Sequence, residues 1–305
     1  MSPFVSVAIP AYKSEYLYDA IMSVLNQTYQ NWELIIVDDY SPNDIYGIVK
    51  IFNDPRIRYY RNKENKGATD PGVNWNICLQ YAKGEYFCLL CDDDLYESNF
   101  VEEMLQLASV YPQCNVFRAR AKVVNSHGEI INYYPSSPQW ESCRDYIWHV
   151  SRRLRKQTIS EWMCRTEHMK KCGGYVNLPF AWGSDYLSIY RYCIEGGIVS
   201  TTQTLVTYRH SGINISSLPQ KNAKEKLIAN MMRKQMMFAF AKTHGMEQSV
   251  TQDILNRKIY EDVSILKRMV LWEFLYMIIH KKKYDISNKS FLRAIKARMI
   301  IFFCR

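Results

Sequence analysis

Three consecutive carboxylates, Asp92, Asp93 and Asp94, follow directly on the run Tyr86-Phe-Cys-Leu-Leu-Cys91. An apolar run that short reads as a strand buried on both faces of a sheet. Adjacent carboxylates repel one another and raise their own pKa values unless a cation sits among them. The guest that suits such oxygen ligands is a hard divalent ion, Mg2+ or Mn2+, which also holds a diphosphate. The plainer reading is a solvated acidic turn that caps the next helix. A second pair, Asp38-Asp39, ends another apolar run, Trp32 to Val37. Ligands of an open α/β sheet bind beyond the carboxyl ends of its strands. Two strands tipped with carboxylates therefore point into one crevice.

The elements that must position these acids follow from periodicity. Val5 to Pro10 reads as a strand that Pro10 ends, and Ser14 as an N-cap. Leu17, Ile21, Val24 and Leu25 then fall on one helical face. Ser41-Pro-Asn-Asp44 opens a second helix, and Arg56 to Tyr60 alternates as a strand. Val73 to Ala82 reads as helix with Lys83-Gly84 as its C-cap. After the acidic strand, Ser98 caps a helix lined by Val101, Met104, Leu105 and Ala108. The order is β-α-β-α-β-α-β-α over about 110 residues, a doubly wound, mostly parallel sheet. Further on, Asn115 to Asn125 reads as a strand, Ser126 to Glu129 as a hairpin turn and Asp145 to Lys156 as a basic helix.

Composition narrows the class. Of 305 residues 48% are hydrophobic, ample for a core, yet no apolar run reaches the roughly 18 residues of a membrane span. The start of the chain lacks a basic, signal-like region. With nine scattered cysteines, the reading is reduced thiols in the cytoplasm. Cys88 and Cys91 have CxxC spacing, but on a strand they face opposite ways, which argues against zinc or redox chemistry. No Gly-x-Gly-x-x-Gly follows the first strand, against a dinucleotide oxidoreductase. A nucleotidyltransferase shares the carboxylates but wants a Gly-rich, basic first loop, which Pro10-Ala-Tyr-Lys-Ser14 does not supply. A non-catalytic nucleotide-binding module is the alternative of a different class.

Five segments in one order carry a resemblance: Val5 to Tyr12, Ser23 to Tyr29, Glu33 to Ser41, Ala82 to Tyr86 and Asp92 to Asp94. In order and spacing they resemble family 2 glycosyltransferases of GT-A fold, closely over residues 4–110 and more thinly to about residue 215. The resemblance implies a catalytic domain over 1–217, with a nucleotide half (1–112) and an acceptor half (113–217). It implies a nucleotide-diphosphate sugar, UDP-linked, as donor, and a glycan or lipid-linked glycan of cell-surface polysaccharide synthesis as acceptor. Pro10, Ala11, Tyr12, Asp38, Asp39, Lys66, Asn76 and Asp92 would meet the donor nucleotide. Asp93 would hold the cation, with Asp92 or Asp94 assisting and His210 reaching metal or diphosphate. Asp185, in Gly183-Ser-Asp185, would be the base of an inverting transfer; the plainer reading is an N-cap. Cys91 stands where relatives often carry the first Asp of their metal motif, and no cation precedes Asn76. Trp75 reads as core, Trp182 as core or a sugar platform, and Arg209 as a phosphate partner.

The last quarter stands apart. Residues 221–305 hold 18 Lys/Arg against 7 Asp/Glu, whereas residues 1–220 hold 21 against 23. The pattern over 218–305 is helical. Met269 to His280 is apolar, Lys281-Lys-Lys283 follows, and Phe291 to Arg305 interleaves basic and apolar residues. Such a segment fits the anionic inner face of a membrane, through 269–305, or else a helical cap on the catalytic domain with a solvated basic face. No reader motif accompanies the charge, so nucleic acid is not expected.

Overall fold

The computed structural model describes residues 2–212, 214–215 and 221–303, with side chains described to Ile300. The 217/218 boundary, Ile213, Ser216, the side chains of Ile301, Phe302 and Phe303, and Cys304 and Arg305 lie outside the described residues.

The first half alternates as expected. β1 (Val5–Ala11), α1 (Leu17–Leu25), β2 (Trp32–Asp38), α2 (Ile45–Val49), β3 (Ile57–Arg61), α3 (Pro71–Tyr81) and β4 (Tyr86–Leu89) follow one another. A two-residue strand β5 (Leu95–Tyr96) precedes α4 (Phe100–Val110). Then come β6 (Val116–Val124), β7 (Ile130–Tyr133), β8 (Trp140–Glu141), α5 (Cys143–Ser151), β9 (Trp162–Arg165), α6 (Thr166–Lys171), α7 (Ser184–Tyr192) and β10 (Ile198–Arg209). Among the described residues, four helices follow: α8 (Ala223–Thr243), α9 (Gln248–Leu266), α10 (Leu271–Ile279) and α11 (Asn288–Phe303).

The strands form one sheet in the order β3-β2-β1-β4-β9-β6-β10-β5, with β7 on β6 and β8 on β10. β1, β2, β3 and β4 pair in parallel. β9 enters antiparallel between β4 and β6, and β5, β7 and β8 also pair antiparallel. The sheet is therefore mixed: the expected parallel pairing holds over β1 to β4 and between β6 and β10, and antiparallel strands join it from β5 and β9 onward. Residues alternate between its faces: Val7, Ile9, Leu34 and Ile36 join one core, and Ala8, Ile35 and Val37 the other. α1, α2 and α4 cover the first face, and α3, α5 and α7 the second. Cys88 and Cys91 fall on opposite cores, and all eight described cysteines are free.

Several local expectations shift for identifiable reasons. Pro10 does not end β1; it stays in register with Val37. Pairing with β4 stops at Ala8 and Leu89, so the N–H that Pro10 lacks falls beyond the neighbouring strand. Neither Ser14 nor Ser98 caps its helix, since Tyr16 and Asn99 hold those positions without a side-chain bond. α5 is shorter than expected and is capped by Ser142. Gly84 is needed for close approach rather than as a helix cap. A Cβ there would sit 2.5 Å from the Ser6 backbone nitrogen.

The last quarter is not detached. Ala229, Met237 and Ala241 of α8 and Val250 and Ile254 of α9 share a core with Ile147, Tyr190 and Tyr192. α10 and α11 build a third core on the ends of α8 and α9. No described helix is long and apolar enough to cross a membrane.

Candidate active site

The order β2-β1-β4 sets three loops side by side at the carboxyl ends of these strands. The loop after β1 is held by Asp92, whose Oδ2 accepts from the backbone N–H of Tyr12 at 2.9 Å and of Lys13 at 2.7 Å. Asp92 thus shapes the loop after β1 through one carboxylate oxygen, Oδ2. Tyr12 rises from that loop 42% exposed.

Asp38 and Asp39, both buried, organise the next loops. Asp38 accepts from Ser41 N–H at 2.8 Å, the Tyr59 hydroxyl at 2.6 Å and Arg61 at 2.7 Å. Asp39 accepts from Asn62 at 2.7 Å and from the backbone of Lys66 and Gly67 at 2.9 and 2.6 Å. A carboxylate has about four acceptor sites, so Asp39 keeps about one for a ligand, whereas Asp38 has no exposed surface to offer one. The Lys66 ammonium itself pairs with Glu64. Asn76 is spent elsewhere, because its amide bonds the Tyr175 carbonyl at 2.9 Å and the Tyr175 N–H at 2.8 Å. It is Asn74, two residues earlier on α3, that meets Asn62 at 2.9 Å beside Asp39. Trp75 packs edge-on to Tyr175, as a core residue would.

Asp93 and Asp94 are almost fully buried. The Lys13 ammonium pairs with Asp93 and stands 3.2 Å from Asp92. Burial alone would lower the Lys13 pKa, but the two carboxylates outweigh it and raise it. Asn214 reaches Asp93 at 3.2 Å. Asp94 accepts from the Ser160 hydroxyl at 2.6 Å and the Arg209 N–H at 2.9 Å. Burial, reinforced by Asp93, pushes the Asp94 carboxyl up to about 8. Burial also raises Asp93, against the pull of Lys13. These buried acids ask for more positive charge than one lysine supplies. One ligand atom each of Cys91, Asp93 and Asp94 lies within 4.8 Å of the others, so the trio can hold a metal ion. Burial and the neighbouring acids raise the Cys91 thiol well above its usual range, so it stays protonated. The hard ligands are the carboxylate oxygens, which suit Mg2+ or Mn2+.

His210 is exposed at the end of β10, and its backbone N–H donates to Val124. Among the described residues, Asn214 and not His210 supplies that segment's contact to Asp93. Arg209 is also taken up internally. Its Nε donates to the Asp93 carbonyl at 3.2 Å, and its guanidinium lies 4.2 Å over the Tyr16 ring.

Antiparallel β9 brings its leading residues to the end of β4. Ser160 there holds Asp94 and also accepts from Cys91 N–H at 3.1 Å. Three residues earlier, Gln157 donates to Asp185 at 2.7 Å and accepts from the Tyr146 hydroxyl. Three residues of chain span at most about 11 Å, so the supports of Asp94 and Asp185 lie within that reach of each other. Asp185 sits in the first turn of α7, whose N-cap is Gly183, so it is not the cap itself. Burial raises its pKa while the Gln157 bond opposes the rise. Next to Ser160, Glu161 is fully buried against Arg118 at 2.6 Å. Burial pushes Glu161 up to about 7 although Arg118 pulls it down.

Residues 6–161 match the model of glycosyl transferase family 2, more than half of the chain. This chain belongs to that family. It is accordingly an enzyme, a glycosyltransferase. It is 31% identical over 232 residues to a provisionally named colanic acid biosynthesis glycosyl transferase, WcaA, of Escherichia coli (strain K12), across 72% of this chain and 78% of that one. Over 104 residues it is 38% identical to the Escherichia coli UDP-Glc:alpha-D-GlcNAc-diphosphoundecaprenol beta-1,3-glucosyltransferase WfgD, 34% of this chain and 40% of that one. In fold it is similar to S. aureus TarS 1-349 in complex with UDP-GlcNAc, with a TM-score of 0.60 and 16% identity, over 99% of this chain and 92% of that one.

The glycosyltransferase thus carries site residues that sequence reasoning passed over. Lys13 stands in a loop, Pro10 to Ser14, that has no glycine-rich pattern to mark it. Ser160 and Glu161 lie in a single 3-10 turn, Ile159–Glu161, capped by Thr158, and Gln157 precedes it, a segment too short to show a period. Arg233 of α8 belongs here too. Gly183 has φ +87°, and a Cβ there would lie 2.4 Å from Arg233 Nη1. Arg233 pairs in turn with Glu261 of α9. The one sequence signal for this arrangement is the glycine two residues before Asp185.

Proposed function

We propose that this glycosyltransferase has a GT-A type fold and catalyses an inverting transfer from a UDP-sugar to a hydroxyl of a glycan or lipid-linked oligosaccharide in cell-surface polysaccharide synthesis. The observation that carries the reading is the short strap from Gln157 to Ser160, one end on Asp185 and the other on Asp94. The names of WfgD and of the UDP-GlcNAc complex of TarS support a UDP-linked donor, and the diphosphoundecaprenol in the former supports a lipid-linked acceptor. Tyr12 stacks on the base, and Asp39 accepts from base or ribose through its remaining site. Asp93 and Asp94 would hold Mg2+ or Mn2+, which would supply Lewis-acid charge for a departing diphosphate.

Asp185 takes the proton of the acceptor hydroxyl as its oxygen attacks the anomeric carbon opposite the diphosphate. The new C–O bond forms as the bond to the diphosphate breaks, and UDP leaves with the bonding pair. The raised pKa of Asp185 makes it a stronger base than a solvated carboxylate.

The test is release of UDP from a panel of UDP-sugars with Mn2+ and lipid-linked or oligosaccharide acceptors. Asp185→Asn is expected to lower kcat by about 10²–10⁴-fold while UDP still binds. A folded protein that binds UDP equally well with either residue and turns over no donor in either form is instead a binding module.

A further inference from the structure

Two helices at the end of the chain carry an apolar face that the catalytic core does not use. α10 buries Phe274 and Met277, and α11 buries Phe291 and Ala294, in the third core. The Phe274 and Phe291 rings meet at 5.7 Å, which holds the two helices together. Outward on α10, Leu271, Leu275 and Ile278 recur at helical spacing, and beside them stand Trp272, 80% exposed, and Ile279, 77% exposed. On α11, Leu292, Ile295 and Met299 form a second exposed stripe, flanked by Lys289, Arg293 and Lys296. Side chains this large and this exposed, clustered on two adjoining helices, mark an interaction surface.

Charge identifies the partner. Between Leu271 and Ile300 the chain holds seven Lys or Arg and two acidic residues, with Lys281-Lys-Lys283 between the helices. We propose that α10 and α11 dock on an anionic bilayer surface, Trp272 and Ile279 entering the headgroup boundary while the lysines meet lipid phosphates. A second copy of the chain fits less well. A two-fold contact through this face sets one basic cluster against another, and like charges so placed repel. The docking reading stands apart from the catalytic one, since vesicle binding needs no turnover.

The test is co-sedimentation of the full chain with phosphatidylcholine vesicles, with and without phosphatidylglycerol. Binding is expected only with phosphatidylglycerol and should weaken with salt. Replacing Lys281, Lys282 and Lys283 by Gln should lower it about a hundredfold. Trp272→Ser with Ile279→Ser should lower it about as much. Both variants should keep the parent melting temperature and UDP binding, which separates lost docking from misfolding. Equal binding to neutral vesicles overturns the proposal, as does no binding at all. A concentration-dependent dimer that the Trp272→Ser, Ile279→Ser variant abolishes overturns it too and assigns the face to a second copy.

Discussion

At the scale of single residues, the chemistry rests on how each carboxylate is held. Gln157 is oriented by Tyr146 on one side and spends its amide N–H on Asp185 on the other. A hydrogen bond donated to a carboxylate favours its charged form. Gln157→Leu therefore raises the Asp185 pKa further. A base works only when ionised, so the acidic limb of the kcat profile should move to higher pH. The variant should also lose about 1–3 kcal/mol of stability, because the buried Tyr146 hydroxyl is left without its acceptor. A pH–rate profile and a denaturant titration check the two effects, and an unmoved limb removes Asp185 from the role of base. The acids themselves were legible from sequence as strand ends. Their partners were not. Lys13 sits in a loop with no phosphate-binding pattern, and whether Asn74 or Asn76 faces the site turns on helix phase, which two residues rotate by more than half a turn.

At the scale of elements, the first four β-α units could be read because their apolar residues repeat with clear period. The stretch Thr158 to Arg165 also reads as a strand and turn, but nothing local shows that β9 enters antiparallel in a sheet that began parallel, or that the residues leading into it carry chemistry. Yet β9 is what delivers Ser160 and Gln157 to the site. The entry to α7 is the second hidden feature. Gly183 serves both a left-handed backbone and the flank of Arg233. Gly183→Ala should cost about 1–3 kcal/mol through backbone strain alone, and more with Arg233 in the way. In an Arg233→Ala background the steric part disappears. A double-mutant cycle by chemical denaturation should then show a coupling of about 0.5–3 kcal/mol. Strict additivity would mean that Arg233 and α7 do not constrain each other.

At the scale of the whole molecule, the shift in charge after residue 220 suggests a separate unit, but the packing joins it to the rest. α8 and α9 cover the side of the sheet that carries α5 and α7, through Met237 and Ile254 on Ile147 and Tyr190. Truncation after residue 220 should therefore strip a core rather than free a domain. The shortened chain is expected to aggregate, or to lose its cooperative unfolding transition, and to lose UDP binding. A monomeric fragment with the parent melting temperature would show that the catalytic sheet stands alone. Composition reveals the charge of this region, while the shared core depends on long-range contacts that no local pattern announces.

The strap from Gln157 to Ser160 has a consequence for how this enzyme tolerates change. It works as a ruler made of covalent chain, so the gap between acid and base is set by residue number and not by how two lobes happen to settle. One inserted residue would lengthen it by about 3.3–3.6 Å, more than a reacting pair forgives. Natural variation in length should thus crowd into the loops on either side and leave this four-residue measure untouched.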